Sequence, residues 1–241
     1  MNLSVSSATD PGLVRTDNED ALYVDAELGL LAVADGVSGR PRGDVASKLA
    51  VAKFAEYVQQ HLQDNSASVL DMLADAALFG DMAIRTKGGV DSDYLGMAST
   101  LTACLIQGET GHFAHIGDSR AYLMRGGHIE QLTDDHTLSS FRKLEGLDPV
   151  PENISEAKNL LAALGLSVQT GADTFARNLE VGDLLVLCTD GFYSVIGDED
   201  LAAIARMDVP LEERLQNYVS LAHERGGPDN ITVALGNIDA L

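Results

Sequence analysis

The chain has 241 residues, and its 16 basic against 37 acidic side chains leave a formal net charge of −21. Hydrophobic residues make up 45% and charged residues 22%, a globular and not a disordered composition, long enough to bury one large core. So acidic a surface repels phosphate backbones and anionic headgroups, which argues against nucleic-acid and membrane partners.

The first twenty residues lack a basic segment followed by an apolar one, and no apolar run reaches membrane-spanning length, so the expectation is a soluble cytoplasmic chain. Strand-like runs occur at 21–25 (ALYVD) and 30–35 (LLAVAD). Two helical patterns follow. Residues 44–65 place Val45, Leu49, Ala52, Ala55, Val58 and Leu62 on one face; residues 68–85 do the same with Val69, Leu73, Ala76, Ala77, Phe79 and Ile84. Further strands are expected at 99–107, 112–118, 121–125 and 128–132, with Gly126-Gly127 as a hairpin turn. A helix over 152–164, a strand at 184–189, helices over 198–207 and 211–224, and a strand at 231–237 complete the chain. Cys104 and Cys188 sit inside apolar runs and read as buried small hydrophobes. No linker or repeat divides the sequence, so it reads as one α+β domain spanning 1–241.

The chemistry lies in where the aspartates fall. Three apolar runs stop at an aspartate followed by a small residue: Asp35-Gly36, Asp118-Ser119 and Asp190-Gly191. A fourth, Asp229, precedes its strand. If that strand runs antiparallel to the others, all four carboxylates emerge at one end of a sheet. Asp-Gly is also a common turn dipeptide, and for any single site that is the better explanation. Four of the same form favour a metal centre, because converging carboxylates repel one another unless a cation sits among them, and oxygen donors suit Mg²⁺ or Mn²⁺. The loop Arg15–Asp20 (RTDNED) cannot be an EF-hand, since Leu22 stands where its glycine would be, but its arginine could grip a phosphate.

The ordered blocks RTDNEDA, LLAVADG, STLTACLI, HIGDSRAYLMRGG, QLTDDHTL, LLVLCTDGFYSVI and GGPDNITVAL, from Arg15 to Leu235, resemble the metal-dependent protein phosphatase family (protein phosphatase type 2C). The resemblance implies a four-layer αββα sandwich of two antiparallel sheets between helix pairs. It implies hydrolysis of phosphoserine and phosphothreonine in proteins by a hydroxide shared between two Mn²⁺ or Mg²⁺ ions, without a covalent intermediate. Asp35 matches the carboxylate bridging the two ions, Gly36 a carbonyl ligand, and Asp190 and Asp229 the remaining direct carboxylates. Glu19 matches an acidic residue of the metal shell, Asp20 its companion, and Arg15 the phosphate-gripping arginine. Asp118 and Asp135 match residues linked to a third, weaker ion in many bacterial members.

The resemblance further implies a monomer acting on phosphoproteins opposite a serine/threonine kinase. A regulatory module that binds phosphoproteins without turnover is the alternative; Arg15, Asp35, Asp190 and Asp229 all being present disfavours it. Two features depart from the family. Val37 stands where animal members carry a proton-donating histidine, which leaves that job to a water, with His136 read as a hydrogen-bonding residue and His115 as a strand histidine. The loop VSGRPRGD also carries Arg40 and Arg42, able to steer an acidic phosphopeptide. Residues 137–173 correspond to the variable flap and resemble the family only around NLLAALG.

Overall fold

Residues 2–64, 67–148, 150, 155–166 and 171–240 are described by a computed structural model. In chain order they form β1 (Asn2–Asp10), β2 (Asp20–Asp25), β3 (Leu30–Asp35), α1 (Gly43–His61), α2 (Val69–Val90), β4 (Leu101–Gln107), β5 (Thr110–Ile116), β6 (Arg120–Arg125) and β7 (His128–Gln131). Then follow α3 (Leu138–Leu144), β8 (Asp173–Asn178), β9 (Leu184–Cys188), α4 (Asp190–Tyr193), α5 (Asp198–Ala205), α6 (Leu211–Glu224) and β10 (Ile231–Ala240). Two antiparallel five-stranded sheets result, ordered β1-β10-β9-β6-β7 and β2-β3-β4-β5-β8.

Strand alternation explains why so many runs are apolar without a break. In β3, Leu30, Ala32 and Ala34 face α1 and α2, whereas Leu31 and Val33 face the other sheet. In β9, Leu184, Val186 and Cys188 face α5 and α6, whereas Leu185 and Leu187 fill the space between sheets. Both faces of each central strand are therefore buried, and three hydrophobic layers separate four structural ones: α1/α2, sheet, sheet, α5/α6. Each fully buried leucine contributes about 2 kcal/mol of transfer free energy, so these layers dominate stability.

Local details depart from the sequence pattern. The buried face of α1 is Gly43, Ala46, Ser47, Ala50, Val51, Phe54, Ala55 and Val58, which leaves Ala52 exposed. The helix turns that way because small residues let it approach α2 closely, where Gly80 lies 3.5 Å (as an ideal Cβ) from the Ala50 carbonyl. The helix expected over 152–164 is absent from its described part. Residues 152–154 lie outside the described residues, Ser155–Lys158 form a 3₁₀ turn, and Leu160 and Leu164 bridge to Thr137 and Ser99. The Ser99 and Leu164 amides each donate to the other's carbonyl, at 3.0 and 2.8 Å, so tertiary pairing overrides the helical propensity of LLAAL. The strands β1 and β8 and the short helices α3 and α4 carried no readable period. β8 is an edge strand of mixed polarity whose Phe175 stacks on Phe113 at 4.9 Å. Among the described residues no helix is long and apolar enough to cross a membrane.

Candidate active site

β3, β9 and β10 deliver their aspartates to one edge of the sandwich. Asp35 ends β3, and its backbone is fixed on both sides. Its amide donates to Thr100 Oγ1 (2.9 Å), and its carbonyl accepts from the Ser99 hydroxyl (2.9 Å) and the Thr100 amide (2.9 Å). Gly36 and Gly191 are needed for space and not for unusual dihedrals. A Cβ on Gly36 would lie 2.5 Å from the Gly43 backbone, and one on Gly191 would lie 2.0 Å from the Asn230 carbonyl oxygen. The second contact is what sets Asp190 beside Asp229. β10 does run antiparallel to β9, as the convergence of the aspartates requires.

Asn230, which the motif reading passed over, ties this edge together. Its Oδ1 accepts from the Glu19 amide (2.8 Å), and its Nδ2 donates to the Pro11 (3.0 Å) and Asp17 (2.9 Å) carbonyls. The loop that carries Arg15 and Glu19 is thereby held against Asp229. The available signal was a buried amide following an aspartate just before an apolar strand. Replacing Asn230 by Ala leaves these buried backbone groups unpaired, at about 1–3 kcal/mol each when fully desolvated. A fall in melting temperature of about 5–10 °C, read by thermal denaturation, is expected for Asn230→Ala.

The electrostatics are those of a crowded anion cluster. Burial is the first cause holding Asp35, Asp20, Asp118, Asp190 and Glu19 above the ordinary carboxylate range. Neighbouring acids add to this: Asp35 is raised further by Asp20, Asp190, Asp118 and Asp229. Asp20 and Asp118 are each pushed up to about 7. Asp20 Oδ2 accepts from the Thr189 hydroxyl at 2.8 Å, whereas its Oδ1 is buried with no hydrogen-bond partner. Two cations flank the cluster. Arg15 Nη2 is 2.7 Å from Asp229 Oδ2, and Lys158 Nζ, on the 3₁₀ turn, is 3.9 Å from Asp190 Oδ2. Lys158 was invisible in the sequence, because its segment read as a regular helix. Two monovalent charges do not balance this many carboxylates, and an orphaned buried carboxylate oxygen among hard donors fits a divalent cation. Among the described residues, no three such groups are already drawn to ligand spacing.

Asp135 is placed differently. Both its oxygens accept from Arg120, at 2.9 and 2.7 Å, and Arg120 stacks on the Tyr193 ring at 3.8 Å. The Tyr193 hydroxyl in turn donates to the Asp118 carbonyl at 3.0 Å, so this group braces the Asp118 turn. His136 is committed elsewhere. Its Nδ1 accepts from the Gly117 amide (3.2 Å), which leaves Nε2–H to donate to Asp173 (3.1 Å). His115 is buried and pushed down to about 4, hence neutral, with Nε2–H donating to the Asp134 carbonyl (3.0 Å). Cys104 and Cys188 are fully buried free thiols, raised by burial well beyond reactivity.

An acidic edge built this way on a double antiparallel sandwich defines a candidate divalent-cation site. The protein phosphatase 2C family pattern matches residues 12–235, and the chain belongs to that family. It is 35% identical over 240 residues to the serine/threonine protein phosphatase PstP of Mycobacterium tuberculosis, covering 98% of this chain and 45% of PstP. The chain thus spans about half the length of that relative. It is 33% identical over 238 residues to protein phosphatase PhpP of Streptococcus pneumoniae, covering 97% and 96% of the two chains. The crystal structure of M. tuberculosis PstP/Ppp superposes with a TM-score of 0.87 at 34% identity over the whole of both chains. A PstP catalytic domain in complex with two manganese ions superposes at 0.84, with 34% identity and 98% of each chain covered.

Proposed function

We propose that the chain is a single Mn²⁺- or Mg²⁺-dependent phosphatase domain acting on phosphoserine and phosphothreonine in proteins. The observation that carries this is the convergence of Asp20 and Asp35 from one sheet with Asp190 and Asp229 from the other, beside Arg15, at one edge of the sandwich. Divalent cations, when bound there, would supply a nucleophilic water at neutral pH and neutralise phosphoryl charge. Asp35, the Gly36 carbonyl, Asp190 and Asp229 would hold them, Glu19 and Asp20 would shape the surrounding shell, and Asp118, with Asp135 behind it, would suit a third and weaker ion.

Arg15 orients the phosphoryl group. Its guanidinium is already aimed into the cluster by Asp229, and a bidentate contact fixes the phosphorus for in-line attack. The leaving oxygen receives its proton from solvent, because Val37 offers none and both ring nitrogens of His136 are engaged. The physiological substrates are phosphoproteins of a cognate serine/threonine kinase, and the domain acts in the cytoplasm as a monomer.

The test is hydrolysis of p-nitrophenyl phosphate and a phosphothreonine peptide with Mn²⁺, with Mg²⁺ and with EDTA. Turnover that needs the cation supports the reading; EDTA-resistant turnover, or none on either substrate, overturns it. Arg15→Ala is expected to lower kcat/KM for the peptide about 100-fold, since one charge-assisted phosphoryl contact is lost.

A further inference from the structure

The loop that follows Asp35-Gly36 places two of the chain's 16 basic residues two positions apart, at Arg40 and Arg42. Backbone hydrogen bonds hold this loop to the site. The Val37 amide donates to the Ala98 carbonyl (3.0 Å), the Arg40 amide to the Val37 carbonyl (3.1 Å), and the Met97 amide to the Tyr94 carbonyl (3.1 Å). The turn bearing Arg40 and the turn bearing Tyr94 are therefore both anchored beside the acidic edge.

Arg42 is the one non-glycine residue at positive φ among the described residues (φ 51°, ψ 49°), a conformation unfavourable for a residue with a Cβ. Its guanidinium chelates Asp44 at 2.9 and 3.0 Å and lies 5.1 Å from the Tyr94 ring centroid. Lys87, from α2, places its ammonium 4.3 Å from the same ring. Arg40 Nη1 stands 3.9 Å from where a Cβ on Gly96 would be, so it lies along the same turn. Arg42 also lines, with Lys48, a cavity of about 450 Å³ that reaches Glu19.

Two cations thus flank Tyr94, and a third, Arg40, lies along the same turn at Gly96, in a chain with more than twice as many acids as bases. Arg42 is paired with Asp44, but Arg40 and Lys87 meet no carboxylate at ion-pair distance among the described residues. Asp91 and Asp93 lie on the neighbouring turn, where Asp91 accepts the Asp93 amide. Cations left unpaired on so acidic a surface are available to an incoming anion. An extended polyanion would be repelled by the remaining surface, whereas a short acidic stretch delivered by its own phosphate group would not.

We propose that Arg40, Lys87 and Tyr94-braced Arg42 form a subsite selecting phosphopeptides with acidic residues beside the phosphorylated one. This rests on the phosphatase reading above and assigns its substrate class. The experiment compares phosphothreonine peptides flanked by Glu or by Ala, with p-nitrophenyl phosphate as the control, for wild type and Arg40→Ala/Lys87→Ala. Wild type should favour the Glu-flanked peptide. The double variant should lose about fivefold in kcat/KM on that peptide, through KM, with the Ala-flanked peptide and p-nitrophenyl phosphate unchanged. Arg40→Glu should invert the preference towards Lys-flanked peptides. Raising salt should erode the wild-type preference, a reading that needs no variant. Equal treatment of both peptides by wild type, equal losses on both in the variant, or a salt-independent preference would overturn the subsite. Failure of wild type on p-nitrophenyl phosphate as well would instead overturn the phosphatase reading.

Discussion

Asparagine at position 35 is expected to abolish phosphate-ester hydrolysis and, in the same protein, to raise thermal stability in EDTA. The two effects have one cause. Asp35 sits at the centre of the acidic edge, raised first by burial and then by Asp20, Asp190, Asp118 and Asp229. An amide keeps the shape of the side chain and can still be hydrogen-bonded, but it removes the charge that the proposed cation ligand would supply. A loss in kcat of about 10³-fold or more is expected on that basis. The same charge is a liability without a cation, because its neighbours repel it. Its removal should raise the melting temperature in EDTA by about 2–5 °C. Asp190→Asn should behave alike, as Asp190 is raised by burial and by Asp229. Activity within tenfold of wild type would reject the role assigned to Asp35, and a lowered melting temperature would reject the electrostatic account of the cluster.

The second large effect is the dependence of stability on pH and on the cation. Asp20 and Asp118, ordinary carboxyls when unfolded, titrate at about 7 in the folded, metal-free protein. Between about pH 4 and about pH 7 the folded state therefore binds more protons than the unfolded one, so stability falls as pH rises through that window. Below it both states are protonated and the slope vanishes. In EDTA, the melting temperature should drop by about 5 °C from pH 5 to pH 8, less in Asp20→Asn. Mn²⁺ at about 100 times its dissociation constant adds about 2.7 kcal/mol and should restore roughly that amount at pH 8. Differential scanning calorimetry across pH, with and without Mn²⁺, reads both arms. A melting temperature that rises with pH in EDTA, or that ignores Mn²⁺ at pH 8, contradicts the cluster's proposed occupancy.

Much of this edge was readable because its signals are local. An apolar run stopping at Asp-Gly marks a strand end wherever it occurs, and three such ends plus Pro228-Asp229 before β10 defined the candidate residues. The two-sided burial of β3 and β9 produced unbroken apolar runs, which made the central strands easy to find. Edge elements were not, because β1 and β8 are mostly polar, largely half-buried or exposed, and show no clean alternation. The stretch 155–164 misled for a different reason: its helical composition is overruled by backbone pairing with Ser99 and Thr137, partners distant in the chain.

The sequence by itself determined the architecture's class, the identity of the acidic residues and the resemblance to a phosphatase family, since each rests on order and short-range pattern. Only the tertiary structure decided which charges meet. It spent Asp135 on Arg120, engaged both nitrogens of His136, brought Lys158 to Asp190, made Asn230 the clasp of the Arg15 loop, and set Arg42 and Lys87 against Tyr94 with Arg40 on the adjoining turn. Those pairings join residues up to 219 positions apart. No local pattern encodes them, because electrostatic and hydrogen-bond energies depend on separation in space and not along the chain.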